Sequence, residues 1–385
     1  MKITGVETFR VGLPRRRVHR WAFNYVAAGS DYVLVRIATD AGVSGIGEAP
    51  ALPDWGGDYG THDGEYSVGV VDVINRWLQP VLIEQDPFQI DVLHSRMDAV
   101  IRGHPYAKAA VDVALHDLKG RALGVPVYEL LGGLVRREVP LAHSIGLMEI
   151  EPALAEIAAV VEEGVKTIKL KIGIDPQRDI ELVRRTRELV GPAIKIRVDA
   201  NQGYLTPKLA LQVLRRMQDY DIWFMEQPVM GIRNLSRVSR ATDVPIMADE
   251  SAWTAQEVLE IIRLEAAEMI SLYYTKPGGL YPAKQVAAVA EAGGLACDVN
   301  GSAETGIGNM ANIHLAASTR NVTIPGSIPV NAPAGRRPTK MAGHYYTDDL
   351  IKEPYEFRDG CFIVPDRPGL GVELDEEKLA KYRVA

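Results

Sequence analysis

The 385-residue chain has only two cysteines, Cys297 and Cys361. That is too few for a disulfide framework or a thiolate zinc site. Cys297 ends the apolar run Gly294-Leu295-Ala296-Cys297, where a thiol reads as a small buried hydrophobe. No apolar run reaches the length of about 18 residues that a membrane-spanning helix needs. Met1 leads straight into an alternating stretch without a signal-peptide pattern, so the cytoplasm is the expected compartment. Positive charge is in deficit, with 43 Lys and Arg against 50 Asp and Glu and a formal net charge of -7. A nucleic-acid partner needs a basic surface and is not expected. The basic cluster Arg15-Arg16-Arg17 reads as a solvated loop face.

What is present suits a large core: 47% of residues are apolar and 24% charged. The length exceeds one ordinary domain and fits a barrel with a smaller partner. Residues 1–12 and 31–40 alternate like half-buried strands, and Asp40-Ala41-Gly42 turns into a third near 43–48, giving a meander. Helical periodicity follows near 66–79, 87–100 and 105–122. From Val139 onward strands and helices alternate, with strands expected near 139–145, 166–171, 194–199, 222–226, 245–248, 268–272, 295–299 and 322–325. Helices such as 176–190 and 207–219 fill the intervals. Eight strands with seven helices between them predict an α/β barrel.

The chemistry is concentrated at strand ends. Thr167-Ile168-Lys169-Leu170-Lys171 carries two lysines, and three carboxylates downstream each close a short apolar run: Asp199, Glu226 and Asp249. The steps of 28, 27 and 23 residues from Lys171 onward each fit one strand and helix. In a parallel barrel the C-terminal strand ends share one mouth, where catalytic groups collect. Three carboxylates there would repel unless a cation joined them, and an all-oxygen set suits Mg²⁺. Such an ion could bind a substrate carboxylate and, as a Lewis acid, stabilise the enediolate formed when an α-proton leaves. The base must be near. An unperturbed lysine, with a pKa of about 10.4, is pulled toward working range by a neighbouring ammonium and a divalent cation.

With these residues in view, the chain resembles the enolase superfamily in its muconate lactonizing enzyme subgroup. The Lys-x-Lys followed by Asp, Glu and Asp matches that subgroup in order and spacing, as do Gly278-Gly279 and Ser302-Ala303-Glu304-Thr305-Gly306-Ile307-Gly308. So do Tyr106 to Ala114 and Leu130-Leu131-Gly132-Gly133, and the likeness runs along the whole chain. The resemblance implies a modified (β/α)7β barrel over about 131–334, an N-terminal α+β capping domain over 1–130, and a segment over 335–385 that returns to the cap. It implies a lysine base working with Mg²⁺, the pattern of that superfamily. Lys171 is then the acid/base, Lys169 its tuning neighbour, Asp199, Glu226 and Asp249 the metal ligands, and Asn201 and Glu250 their support. The loops 17–25 and 53–60, with Trp21, Tyr25 and Trp55, are expected to cover the mouth and select a small carboxylate substrate, helped by Asn300 and Glu304. Asp112, on an apolar helix face, is expected to pack the domains together. A symmetric homo-oligomer is the expected assembly.

Two departures from the subgroup matter. A second lysine usually stands five residues before the Gly-Gly, and here that position is Tyr273, with Lys276 three residues further on. The mandelate-racemase relatives place a histidine four residues before the strand-seven glutamate, and here that is Asn300. The second face thus lacks a conventional base, and Tyr273 is left as acid, hydrogen-bond donor or pocket wall. One-sided proton removal favours a dehydratase or cycloisomerase of a small hydroxy or imino acid. A racemase or epimerase using Tyr273 or Lys276 is the rival reading. A catalytically silent binding protein on the same barrel is the other.

Overall fold

The computed structural model describes residues 1–22 and 31–384. The N-terminal part is an antiparallel meander of β1 (Ile3–Gly12), β2 (Asp31–Thr39) and β3 (Ser44–Pro50), in the order β1-β2-β3. Helices α1 (Ser67–Val73), α2 (Gln79–Leu82), α3 (Ile90–Val100), α4 (Pro105–Leu123) and α5 (Val127–Leu130) pack on it. α4 starts with Pro105, which needs no backbone donor in the first turn, and stops at Gly124 in the left-handed conformation that lacks a Cβ penalty. Its middle is buried on nearly all sides because β2 and β3 cover one face and the barrel the other.

The expected first barrel strand is two strands in the structure. β4 (Glu138–Pro140) pairs with a C-terminal hairpin of β12 (Phe357–Arg358) and β13 (Cys361–Ile363), and only β5 (Ala142–Ile145) enters the barrel. Alternation in the sequence continues through both, so the change of partner was invisible there.

The barrel sheet runs β5, β6 (Thr167–Lys171), β7 (Lys195–Asp199), β8 (Ile222–Glu226), β9 (Ile246–Ala248), β10 (Met269–Leu272) and β11 (Ala296–Val299), neighbours parallel throughout. Segment 322–326 closes the ring through two parallel bridges, Cys297 to Val322 and Leu141 to Gly326. Seven helices follow these strands: α6 (Ile150–Glu162), α7 (Pro176–Val190), α8 (Pro207–Met217), α9 (Ile232–Ser239), α10 (Ala255–Leu264), α11 (Leu280–Ala292) and α12 (Gly306–Ser318). Their ends are written locally. Asp175 accepts from the backbone of Gln177 and Arg178 ahead of Pro176, and Thr254 with Glu257 forms a capping box.

The last segment crosses back to the cap. α13 (Glu376–Tyr382) is followed by a bridge from Arg383 to Val11 on β1. Acidic cap residues also grip the barrel. Asp112, fully buried, accepts from the Leu280 backbone at the start of α11 (2.6 Å), as its domain-packing reading expected. Glu48 accepts from Thr305 and Gly308 at the start of α12 (2.7 and 2.9 Å). Both place carboxyl oxygens on the unpaired N–H groups of a helix N-terminus. Cys297 is buried, as its apolar run suggests. Among the described residues no helix is long and apolar enough to cross a membrane.

Candidate active site

A cavity opens at the C-terminal ends of the barrel strands, walled by Lys169, Lys171, Asn201, Asp249, Tyr273 and Asn300 from the barrel. Trp21 and Trp55 close it from the cap, so both tryptophans stand where the sequence suggested; Tyr25 lies outside the described residues. Lys169 and Lys171 share one face of β6 because side chains alternate along a strand.

Those lysines hold the carboxylates. Lys169 Nζ bridges Asp199 Oδ2 (2.8 Å) and Glu226 Oε1 (2.7 Å). Lys171 Nζ donates to Asp199 Oδ2 and to Asn201 Oδ1, both at 2.7 Å. Burial works to raise the Asp199 carboxyl, but the two ammonium groups outweigh it and hold it below the usual range. Burial works to lower Lys169, and Asp199 with Glu226 overrule it, so Lys169 stays charged. Glu226 itself is pushed up to about 8, first by burial and then by its neighbour Asp199.

Asp249 is held from the other side. Its backbone N–H donates to Gln227 Oε1 (2.8 Å), which also takes the Ser251 N–H (3.2 Å) and so fixes the end of β9. Gln227 has no acid or base chemistry of its own, and a glutamine beside Pro228 carries no signal by which sequence alone would select it. Asn201 links the sides, donating to Glu250 Oε1 at 2.8 Å. Glu250 is raised well above the carboxylate range by burial and the negative charge of Asp249, so it holds a proton.

Lys276 reaches the site by a route its position did not suggest. Its Nζ donates to Asp249 Oδ1 (2.5 Å), to the Asp249 carbonyl (2.8 Å) and to the Ser271 carbonyl (2.9 Å). Three donors are thereby used, and the side chain, buried behind the wall, supports Asp249 rather than facing the cavity. Tyr273 does face it. Its hydroxyl lies 3.5 Å from Asp249 Oδ2, its ring packs on Trp55 at 5.3 Å, and burial raises it well above an ordinary phenol. It keeps its proton.

Three expectations are revised. Asn300 lines the cavity, but its amide is mostly engaged elsewhere: Oδ1 accepts from Arg197 (3.1 Å) and the Ser327 N–H (2.7 Å), and Nδ2 donates to Ser271 (2.7 Å). Its demand comes from Arg197, fully buried inside the barrel and paired with Asp298 at 2.6 Å. Glu304 is absent from the wall. Its carboxyl is fully buried against Gly301, where an added Cβ would meet it at 2.6 Å, and burial lifts it to about 7. The arginine cluster is no solvated face: Arg15 and Arg17 line the cavity, and Arg16 and Arg17 both pair with Glu156 (3.2 and 2.6 Å). Sequence also gave no sign that the late segment supplies wall residues, yet Tyr345 and Tyr346 stand there.

Among the described residues no three acidic, imidazole or thiol groups converge on one point, since the lysines stand between the carboxylates. The donor set nevertheless fits a divalent cation. Glu226 Oε2 is buried without a hydrogen-bond partner, all three carboxylates are nearly or fully buried, and every donor is oxygen.

Known proteins share this layout. Residues 3–132 match the N-terminal domain of mandelate racemase and muconate lactonizing enzyme, and residues 153–378 match the enolase C-terminal domain-like family. An N-succinyl-L-Arg/Lys racemase of Bacillus cereus is 33% identical across 100% of this chain and 98% of its own length. Muconate cycloisomerase 1 of Rhodococcus opacus is 34% identical across 99% and 98%. A dipeptide epimerase from Enterococcus faecalis, solved with Mg and the dipeptide L-Leu-L-Tyr, superposes with a TM-score of 0.87 at 29% identity, covering 97% of this chain and 100% of its own. The chain belongs to the mandelate racemase and muconate lactonizing enzyme family of the enolase superfamily, and it is an enzyme.

Proposed function

We propose that the protein is a Mg²⁺-dependent lyase or cycloisomerase that removes the α-proton of a small hydroxy or imino acid, dehydration being the favoured outcome. The observation that carries this is the asymmetry of the cavity: Lys171 lines one side, whereas on the other Lys276 has its donors occupied and Tyr273 retains its proton.

Asp199, Glu226 and Asp249 would hold the metal, with Asn201 and Glu250 as support. When bound, Mg²⁺ would anchor the substrate carboxylate and, as a Lewis acid, stabilise the negative charge that proton loss places on it. Lys171 takes the α-proton and can return it to the departing β-hydroxyl on the same face. Lys169, permanently charged, holds Asp199 and Glu226 in place and sets a fixed positive charge on the same strand face as Lys171. Trp21, Trp55 and Tyr273 line the cavity with aromatic surface that would displace water around a bound substrate.

Racemisation or epimerisation of an amino-acid derivative is the second reading, favoured by the racemase, which is as similar to this chain as the cycloisomerase is. Incubating hydroxy acids, imino acids and N-substituted amino acids with Mg²⁺-loaded enzyme in D₂O separates the two. Release of water, or formation of a ring, supports the first reading. Interconversion of enantiomers with no elimination or cyclisation replaces it with the second.

A further inference from the structure

His19 stands beside Lys171 in the wall of the cavity, although the sequence offered it only as part of a covering loop. Its imidazole is fixed from several sides. Tyr345 packs against it with ring centroids 5.0 Å apart, and Ser144 Oγ on β5 is 3.4 Å from Nε2. Gly146, just past the end of β5, makes room: a Cβ there would come within 3.1 Å of Nδ1 and 3.2 Å of the Arg20 nitrogen. The adjoining backbone is tied down by the Leu147 N–H donating to the Arg20 carbonyl at 2.9 Å. The contact with Ser144 is long, so the ring nitrogens keep capacity for a ligand.

The charged and titratable groups around it include Lys171, Arg17, His143, Glu156 and the packed Tyr345. Burial, followed by Lys171 and Arg17, pushes His19 well below its ordinary value. A neutral imidazole offers one N–H donor and one lone pair, which suits a hydroxyl that must be held first and released as water later. On the opposite side the wall presents the Tyr273 hydroxyl, 3.5 Å from Asp249 Oδ2, and the Asn300 amide, whose oxygen is taken by Arg197 and Ser327.

We infer that His19 contacts the substrate and holds its β-hydroxyl on the Lys171 side during dehydration, making the elimination syn. The inference rests on the dehydratase reading above. In the step, the Cα–H bond breaks and its proton goes to the Lys171 amine. Its electron pair forms the Cα–Cβ double bond while the Cβ–O bond breaks, and the Lys171 ammonium returns the proton to the departing hydroxyl as water. His19 orients the hydroxyl and ends unchanged.

The test uses Mg²⁺-loaded full-length enzyme in D₂O with hydroxy acids and hydroxyproline-like imino acids bearing the hydroxyl on the β carbon. Two rates are read, deuterium entry at the α carbon of recovered substrate and release of the eliminated product. His19→Leu is expected to lower elimination by on the order of 10²-fold, the effect of removing one hydrogen-bonding group aimed at a departing oxygen. Deuterium entry should change by less than about threefold, since Lys171 and the carboxylates are untouched. His19→Gln, whose amide can reach the same place, should recover most of the elimination. An unchanged ratio of the two rates in His19→Leu overturns the inference, whether both rates persist or both fall together. A wild-type enzyme that exchanges the α-proton and interconverts enantiomers without releasing water overturns the dehydratase reading itself, and that result is visible before any variant is made.

Discussion

Lys171 and Lys276 stand on opposite sides of one barrel mouth, and their ammonium groups meet different surroundings. Lys171 ends β6, shares Asp199 with Lys169, and lines the cavity. Lys276 lies past the end of β10, where the carbonyls of Ser271 and Asp249 and the carboxylate of Asp249 take its protons behind the wall. A lysine acts as a base only if its amine can reach a ligand, and one whose three donors are taken by protein oxygens behind the wall cannot. Residue type and spacing placed both lysines near the site. Donor occupancy separates them.

The largest expected effect breaks the side that works. Lys171→Ala should abolish turnover and α-proton exchange together, a loss of at least about 10²- to 10⁴-fold for removal of a positioned base. Exchange that persisted in this variant would move the base to another residue. Next, Asp199→Asn removes one anion from the proposed three-carboxylate site and should greatly weaken Mg²⁺ binding while leaving the circular dichroism spectrum intact. Calorimetry showing unchanged Mg²⁺ affinity would take Asp199 off the list of ligands.

Tyr273→Phe sharpens the comparison from the other side. If Tyr273 is wall, as its packing on Trp55 and its tightly held proton suggest, the variant should keep its rate within about tenfold, or 1.4 kcal/mol. A loss of about 10² to 10⁴ would make it the acid for an anti elimination.

Much of this was legible beforehand, for physical reasons. Strand and helix periods differ, so the alternation from Val139 onward exposed the barrel, and carboxylates closing apolar runs exposed β7 and β8 as strands ending at the mouth. The helix expected over 176–190 is α7, which Pro176 opens and Gly191 follows. What stayed hidden depends on contacts distant in sequence. The cap loop bearing His19 meets Tyr345 across the chain, the Asn300 oxygen is taken by Arg197 from β7, and Glu304 packs against Gly301 outside the cavity wall. No local pattern records which acceptor a buried donor will find.

The smallest expected effect concerns stability. Glu48, buried between cap and barrel, is pushed up to about 8, chiefly by burial. Its carboxyl holds a proton more tightly folded than unfolded, where the value is about 4.5. Folding therefore takes up a proton, and this group's contribution to stability is lost as pH rises from about 4.5 to about 8. Glu48→Gln should flatten the fall of Tm across that window by on the order of 1–3 °C. An identical slope in both proteins would mean that Glu48 is ionised throughout, stabilised by the Thr305 and Gly308 donors.

The central claim is that one side of the cavity does all the proton transfer. Its most direct test follows wild-type enzyme with each enantiomer of the substrate separately in D₂O, reading α-deuterium by NMR. One-sided chemistry predicts deuterium in a single enantiomer and no crossing between the two. Deuterium entering both at similar rates, with interconversion, would contradict the claim and place a second working base opposite Lys171.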